Sequence, residues 1–225
     1  MKPVIGVVTR PLKDDTNRND NQILDVTRQS IIRNNGIPMG IIPTQNIDYH
    51  ADYIPKLTKE EKEDIVRQIE LCDGILFQGG NRWYEYDEFI TDYCITNDIP
   101  SLYICMSMQL LGARDLGIGE ESLIKVEGHK SEEKYVHDII IDSPSLLYEI
   151  LGKQKIKVNS RHSYALHATN ELLVSGRSED GVIEAVERKD KKFILGVQWH
   201  PEMMAQYDDD QNKILKYFIS KAKSR

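Results

Sequence analysis

Cys105 closes the apolar run of "PSLYICMSMQLLG" and stands immediately before a helix-like segment. A thiol at a strand-to-helix turn can act as a nucleophile, because a helix N-terminus stabilises negative charge on sulfur. The amide of Met106 would then point toward a developing oxyanion. Cysteine is equally at home as a small buried apolar residue, so chemistry requires partners. One lies in "GVQWHPEMM", which carries His200, Pro201 and Glu202. Proline disfavours helix in the residue before it and holds His200 extended. Residues two apart in an extended segment share a face, so Glu202 can orient the imidazole. Cysteine, histidine and carboxylate together form a generalised triad for acyl transfer. A third element is "ILFQGG", where Gly79 and Gly80 end a strand and let backbone amides approach a ligand, with a second oxyanion donor expected opposite Met106.

These residues need a scaffold that gathers distant strand ends. The chain supplies one by alternation. "VIGVVT", "IPMGIIPT", "DGILFQGG" and "IPSLYIC" read as short strands. Between them "NQILDVTRQSIIRNNG", "KEEKEDIVRQIELC" and "YDEFITDYCITND" read as helices, and "MSMQLLGARDLG" follows as another. Such βαβα order implies a parallel sheet with helices on both faces, whose ligand sites lie at the carboxyl ends of the strands. The second half is strand-rich, with "YVHDIIID", "KIKVNSRHSYAL", "ELLVSGRSED", "GVIEAVERKD" and "KFILGVQWH" pointing to antiparallel or mixed pairing. A final helix, "DDDQNKILKYFISKAKSR", has acids at its start and bases at its end. The expected fold is a flavodoxin-like three-layer α/β sandwich, mainly parallel in its first half with an antiparallel or mixed region in the second. Residues 1–225 are expected to form one domain.

Composition narrows the function classes. The 225 residues are 40% hydrophobic and 29% charged, with net charge −7, which offers no basic excess for neutralising nucleic-acid phosphates. No apolar run reaches the length of a membrane span. The start, "MKPVIGVVTRPL", reads as a strand and turn rather than a signal peptide, so a cytoplasmic location is expected. Cys72, Cys94 and Cys105 have no spacing suited to a disulfide framework or a zinc site, and Cys72 and Cys94 read as packing residues.

Taken together, "FQGG", "YICMSMQ" and "QWHPE" resemble the signature of the class I glutamine amidotransferase superfamily. Within it the similarity is to the γ-glutamyl-γ-aminobutyrate hydrolase group, the C26 type of peptidase, through "PVIGVVTRP", "VNSRHSYAL" and "DGVIEAVE". The resemblance implies Cys105 as nucleophile, His200 as base, Glu202 as third member, and the amides of Gly80 and Met106 as oxyanion donors. It further implies that Gln109 lines the γ-glutamyl pocket, beside Gly79, and that Asn159, Ser160 and His162 border the substrate. The family places glycine two residues before and two after the nucleophile, where this chain has Tyr103 and Ser107. By strand alternation Tyr103 is expected on the Cys105 side, shaping the pocket.

The implied reaction is hydrolysis of a γ-glutamyl amide through a thioester, with no metal or organic cofactor. The expected partner is a small γ-glutamyl substrate, with no nucleic acid or membrane, and a homo-oligomer remains open. One alternative is a glutaminase component feeding ammonia to a partner synthetase; another is a non-catalytic regulatory protein on the same fold. His129 and His137 fit no common zinc spacing and read as exposed or substrate-rim residues. Asp208–Asp210 read as solvated acids capping the last helix. "RWYEYDEF" reads either as leaving-group pocket or as a loop packed by its own aromatics.

Overall fold

The computed structural model describes residues 1–12, 20–49 and 55–222. The first half runs β1 (Val4–Val8), β2 (Arg10–Leu12), β3 (Asp20–Gln22), α1 (Asp25–Arg33), β4 (Ile37–Ile41), α2 (Lys59–Glu70), β5 (Gly74–Phe77), α3 (Glu85–Thr96), β6 (Ser101–Ile104) and α4 (Met106–Leu116). The second half follows with β7 (Ile124–Lys125), β8 (His137–Ile141), α5 (Leu146–Leu151), β9 (Lys155–Val158), β10 (Tyr164–Ala165), β11 (Leu173–Ser178), β12 (Ile183–Glu187), β13 (Ile194–Val197), α6 (Pro201–Met204) and α7 (Asp209–Ala222).

A nine-stranded sheet in the order β4-β1-β5-β6-β13-β12-β11-β8-β9 forms the middle layer. The strands from β4 to β13 pair in parallel, as the βαβ alternation predicts. From β13 to β9 every pairing is antiparallel, as the strand-rich second half predicts. Alternate side chains feed two cores. Leu76, Leu102, Ile104, Leu195 and Val197 meet Ile214, Leu215 and Phe218 of α7. On the other face, Ile75, Phe77, Tyr103 and Ile194 meet Ile65 and Ile69 of α2, Ile90 of α3 and Met108 of α4. Each such side chain, fully buried, contributes roughly 1.5–3 kcal/mol.

Local chemistry sets the helix ends that matter. α2 opens on a capping box, with the Thr58 hydroxyl accepting from the Glu61 amide at 3.2 Å and the Glu61 carboxylate accepting from the Thr58 amide at 2.8 Å. The Asp208 carboxylate accepts from the amides of Asp210 at 3.0 Å and Gln211 at 3.4 Å, the capping role expected at the acidic run. Among the described residues no helix is long and apolar enough to cross a membrane.

Tyr103 corrects the expectation from alternation. It is fully buried, stacks on Phe77 with ring centroids 4.2 Å apart, and lies in the core beneath α3 and α4. Alternation holds only through Ile104. Cys105 adopts φ 55° and ψ −114°, outside the strand, so it no longer shares a face with Tyr103.

Candidate active site

The reversal at Cys105 creates an elbow. A positive φ at a non-glycine residue costs of order 1–3 kcal/mol and persists only where its surroundings hold it. Here the Cys105 amide donates to the Val197 carbonyl at 2.8 Å, continuing the β6–β13 pairing by one residue. The Cys105 carbonyl accepts from Met108 at 3.0 Å and Gln109 at 3.2 Å, starting α4. The thiol is thereby lifted to the helix N-terminus, and its Sγ accepts from Gln198 Nε2 at 3.7 Å.

Because β13 runs parallel to β6, with Val197 opposite Ile104, the chain leaving β13 delivers His200 beside the elbow. His200 Nδ1 lies 2.8 Å from Glu202 Oε1, and both side chains are buried. Burial alone would disfavour the imidazolium. The Glu202 carboxylate and the Cys105 sulfur outweigh it and push the His200 pKa up to about 10. Gly79 makes this approach possible: a Cβ there would stand 2.7 Å from His200 Cε1 and 3.4 Å from Cys105 Cβ.

Asn159 takes a different part from the expected one. Its side chain accepts from the His200 amide at 2.8 Å and donates to the His200 carbonyl at 3.1 Å. It clamps the backbone of the base and does not line the cavity. Ser160 is fully buried and donates to the His129 carbonyl at 2.5 Å.

Ser107, standing where the family has glycine, belongs to a buried network absent from the sequence reading. Arg10 donates from Nη2 to the Ser107 hydroxyl at 2.8 Å and from Nε to the Gln78 carbonyl at 3.1 Å, and its Nη1 pairs with Asp87. The Ser107 hydroxyl in turn donates to the Gln78 carbonyl at 2.9 Å. β2, α3, α4 and the turn after β5 are thus tied together beside Gly79 and Gly80. The partners are far apart in sequence, and only the position of Arg10 at the end of an apolar strand hinted at a site role.

Two cavity lobes, of about 330 and 670 Å³, meet at Gly80, Asn81, Cys105 and Arg161. Gly79, His200, Arg82 and Tyr84 face the smaller lobe. Met106, Gln109, His162 and Tyr164 face the larger. Gln109 is held there by donating to the Tyr164 carbonyl at 2.6 Å and to Gln198 Oε1 at 3.1 Å. Gln198 therefore touches both the nucleophile and Gln109, a role not foreseen. The aromatic-acidic segment divides: Tyr84 reaches the cavity, whereas Tyr86 and Asp87 are fully buried. His129 is also buried, not at a rim, and its ring packs on those of His137 and His162.

The sheet order and the elbow define a class I glutamine amidotransferase-like domain. The glutaminase domain of Trypanosoma brucei CTPS, solved with acivicin bound, superposes with a TM-score of 0.68 at 16% identity, covering 99% of this chain and 94% of that one. Protein NtpR of Enterococcus hirae is 25% identical over 237 residues, spanning 97% of this chain and 99% of its own. GMP synthase [glutamine-hydrolyzing] of Thermosipho melanesiensis is 32% identical over 175 residues, which is 77% of this chain but 31% of that protein. The family model for Peptidase C26 matches residues 84–202, and the chain belongs to that family.

Proposed function

We propose that this protein hydrolyses the γ-glutamyl amide bond of a small substrate, with Cys105 as nucleophile, His200 as acid and base, and Glu202 as the orienting carboxylate. The observation that carries the reading is the buried His200–Glu202 pair at 2.8 Å, set beside an elbow cysteine where two cavity lobes meet. Cys105 sulfur attacks the γ-carbonyl carbon, and the oxyanion is received by the amides of Gly80 and Met106. The His200 imidazolium gives its proton to the departing nitrogen as the C–N bond breaks, leaving a γ-glutamyl thioester and a free amine. Water then attacks the thioester carbonyl while His200 accepts its proton. The C–S bond breaks, glutamate leaves and the thiolate returns. Gln109 lines the lobe assigned to the glutamyl group, and Arg82 and Tyr84 line the lobe left for the amine.

A screen of γ-glutamyl amides, glutamine included, with the released amine identified by mass spectrometry, tests this reading. Cys105→Ala should abolish turnover, and a γ-glutamyl electrophile should label Cys105; labelling confined to Cys72 or Cys94 would refute the assignment. The likeness to GMP synthase supports a second reading, in which glutamine is the substrate and ammonia passes to a synthetase partner. Glutamine turnover that rises sharply only when a synthetase is added would favour it.

A further inference from the structure

His129, His137, His162 and Glu184 are brought together from four separate segments. One ligand atom from each lies within 4.8 Å of every other. Glu184 Oε1 stands 3.1 Å from His129 Nδ1, 3.4 Å from His162 Nε2 and 3.6 Å from His137 Nε2. Those three nitrogens and both Glu184 oxygens are buried and make no hydrogen bond. A fully buried carboxylate with unsatisfied oxygens is costly, and among the described residues it faces imidazoles but no lysine or arginine.

The opposite nitrogen of each ring is differently placed. His129 Nε2 lies 3.0 Å from Asp180 Oδ2, His162 Nδ1 lies 3.0 Å from the Tyr164 carbonyl, and His137 Nδ1 lies 3.5 Å from the Asp138 carbonyl. With an ion between the rings, a partner on the far nitrogen would hold the proton there and leave the inner nitrogen's lone pair for the metal. This is how metal-binding imidazoles are oriented. Ligand atoms about 2.0–2.1 Å from a tetrahedral ion are about 3.3 Å apart, close to the separations from Glu184.

We propose that these four residues form a closed site for a single divalent transition metal of the zinc class. Three neutral imidazoles and one carboxylate suit such an ion better than calcium or magnesium, which prefer all-oxygen shells. With four protein ligands and no open position for water, the site is structural rather than hydrolytic. It would fasten the strand bearing Glu184 to the segment holding His162, Ser163 and Tyr164, which walls the larger lobe. It is separate from the Cys105–His200 pair and does not depend on the proposed reaction.

The test uses untagged protein stripped with a chelator and titrated with Zn(II), and separately with Co(II) as a spectroscopic probe. One equivalent should bind, and Co(II) should give the intense visible bands of a four-coordinate nitrogen–oxygen site. Cys105→Ala should bind equally well. His137→Ala should lose the bound equivalent and the bands. Asp180→Asn, a near-isosteric change at a half-exposed residue, should weaken Zn(II) about 10–100-fold. Absence of stoichiometric binding overturns the proposal, as does binding lost in Cys105→Ala yet kept in His137→Ala. If His137→Ala does not fold, an unchanged affinity in Asp180→Asn overturns it.

Discussion

Gly79→Ala isolates how tightly the base is held. The new methyl would sit 2.7 Å from His200 Cε1. Carbon atoms rest at about 3.5–4.0 Å, so the ring must retreat by about 0.8 Å or more. It has little freedom to do so: Glu202 holds Nδ1 at 2.8 Å, and Asn159 clamps the His200 backbone through bonds of 2.8 and 3.1 Å. A misplacement near 1 Å costs about 10²-fold in rate, or about 2.7 kcal/mol of transition-state stabilisation. Gly80→Ala is the matched control. Its methyl would meet Met106 Cε at 3.0 Å, the far end of a flexible side chain, and Arg10 Cδ at 3.2 Å, neither of them part of the His200 ring, so its loss should stay under about tenfold. The assay is kcat on the best γ-glutamyl amide, with melting curves to show that both variants fold. Equal losses in the two variants, or full activity in Gly79→Ala, would refute the reasoning.

Glu202→Gln should lower kcat yet leave measurable turnover, and the alkaline limb of the pH–rate profile should move to lower pH, because the variant loses a charge that raises the His200 pKa to about 10. A raised folded-state pKa adds stability that is complete below the unfolded value near 6.5 and fades as pH rises toward 10, so chemical denaturation should show a larger deficit for Glu202→Gln at pH 6 than at pH 10. Tyr103→Ala should cost about 3–5 kcal/mol by urea unfolding and leave the substrate profile unchanged; an altered profile would return Tyr103 to the pocket. Arg10→Met leaves Asp87 buried without its cation and should cost about 3–5 kcal/mol, part of which Asp87→Leu in the same chain should restore.

The parts of the site legible in the sequence are those whose geometry is local. Cys105 at a strand end follows from turn rules alone. Glu202 meets His200 for a different reason from the extended period-two one expected, since Pro201–Met204 forms the helix α6 with His200 at its N-cap. The alternating core and the antiparallel second half follow from turn and strand periodicity. Tyr103 was misplaced because a period-two rule cannot register the left-handed φ at the very next turn. Asn159 and Ser160 bond to the backbone of His200 and His129, partners that a polar segment alone does not reveal. The individual roles of Arg10, Asp87, Gln198 and Glu184 are not legible in the sequence. Arg10 meets Asp87 across 77 positions and Ser107 across 97, and no local pattern carries that pairing. The histidine cluster was hidden by the same cause: its ligands follow no short spacing, and convergence comes only from the sheet.

The place of β13 in the sheet has a consequence for when activity can begin. The strand delivering His200 is not at an edge: it lies between β12, its immediate predecessor in the chain, and β6, which comes far earlier. Gln198, which touches the thiol, comes 93 positions after Cys105. A growing chain therefore carries Cys105 long before His200 exists, and the two meet only when β13 pairs with β6 and β12, both made earlier. Such long-range insertion is among the slower steps of folding. If the proposed reaction holds, competence for it is acquired in the same step that joins β13 to β6, and a partly opened molecule carries Cys105 without His200 beside it.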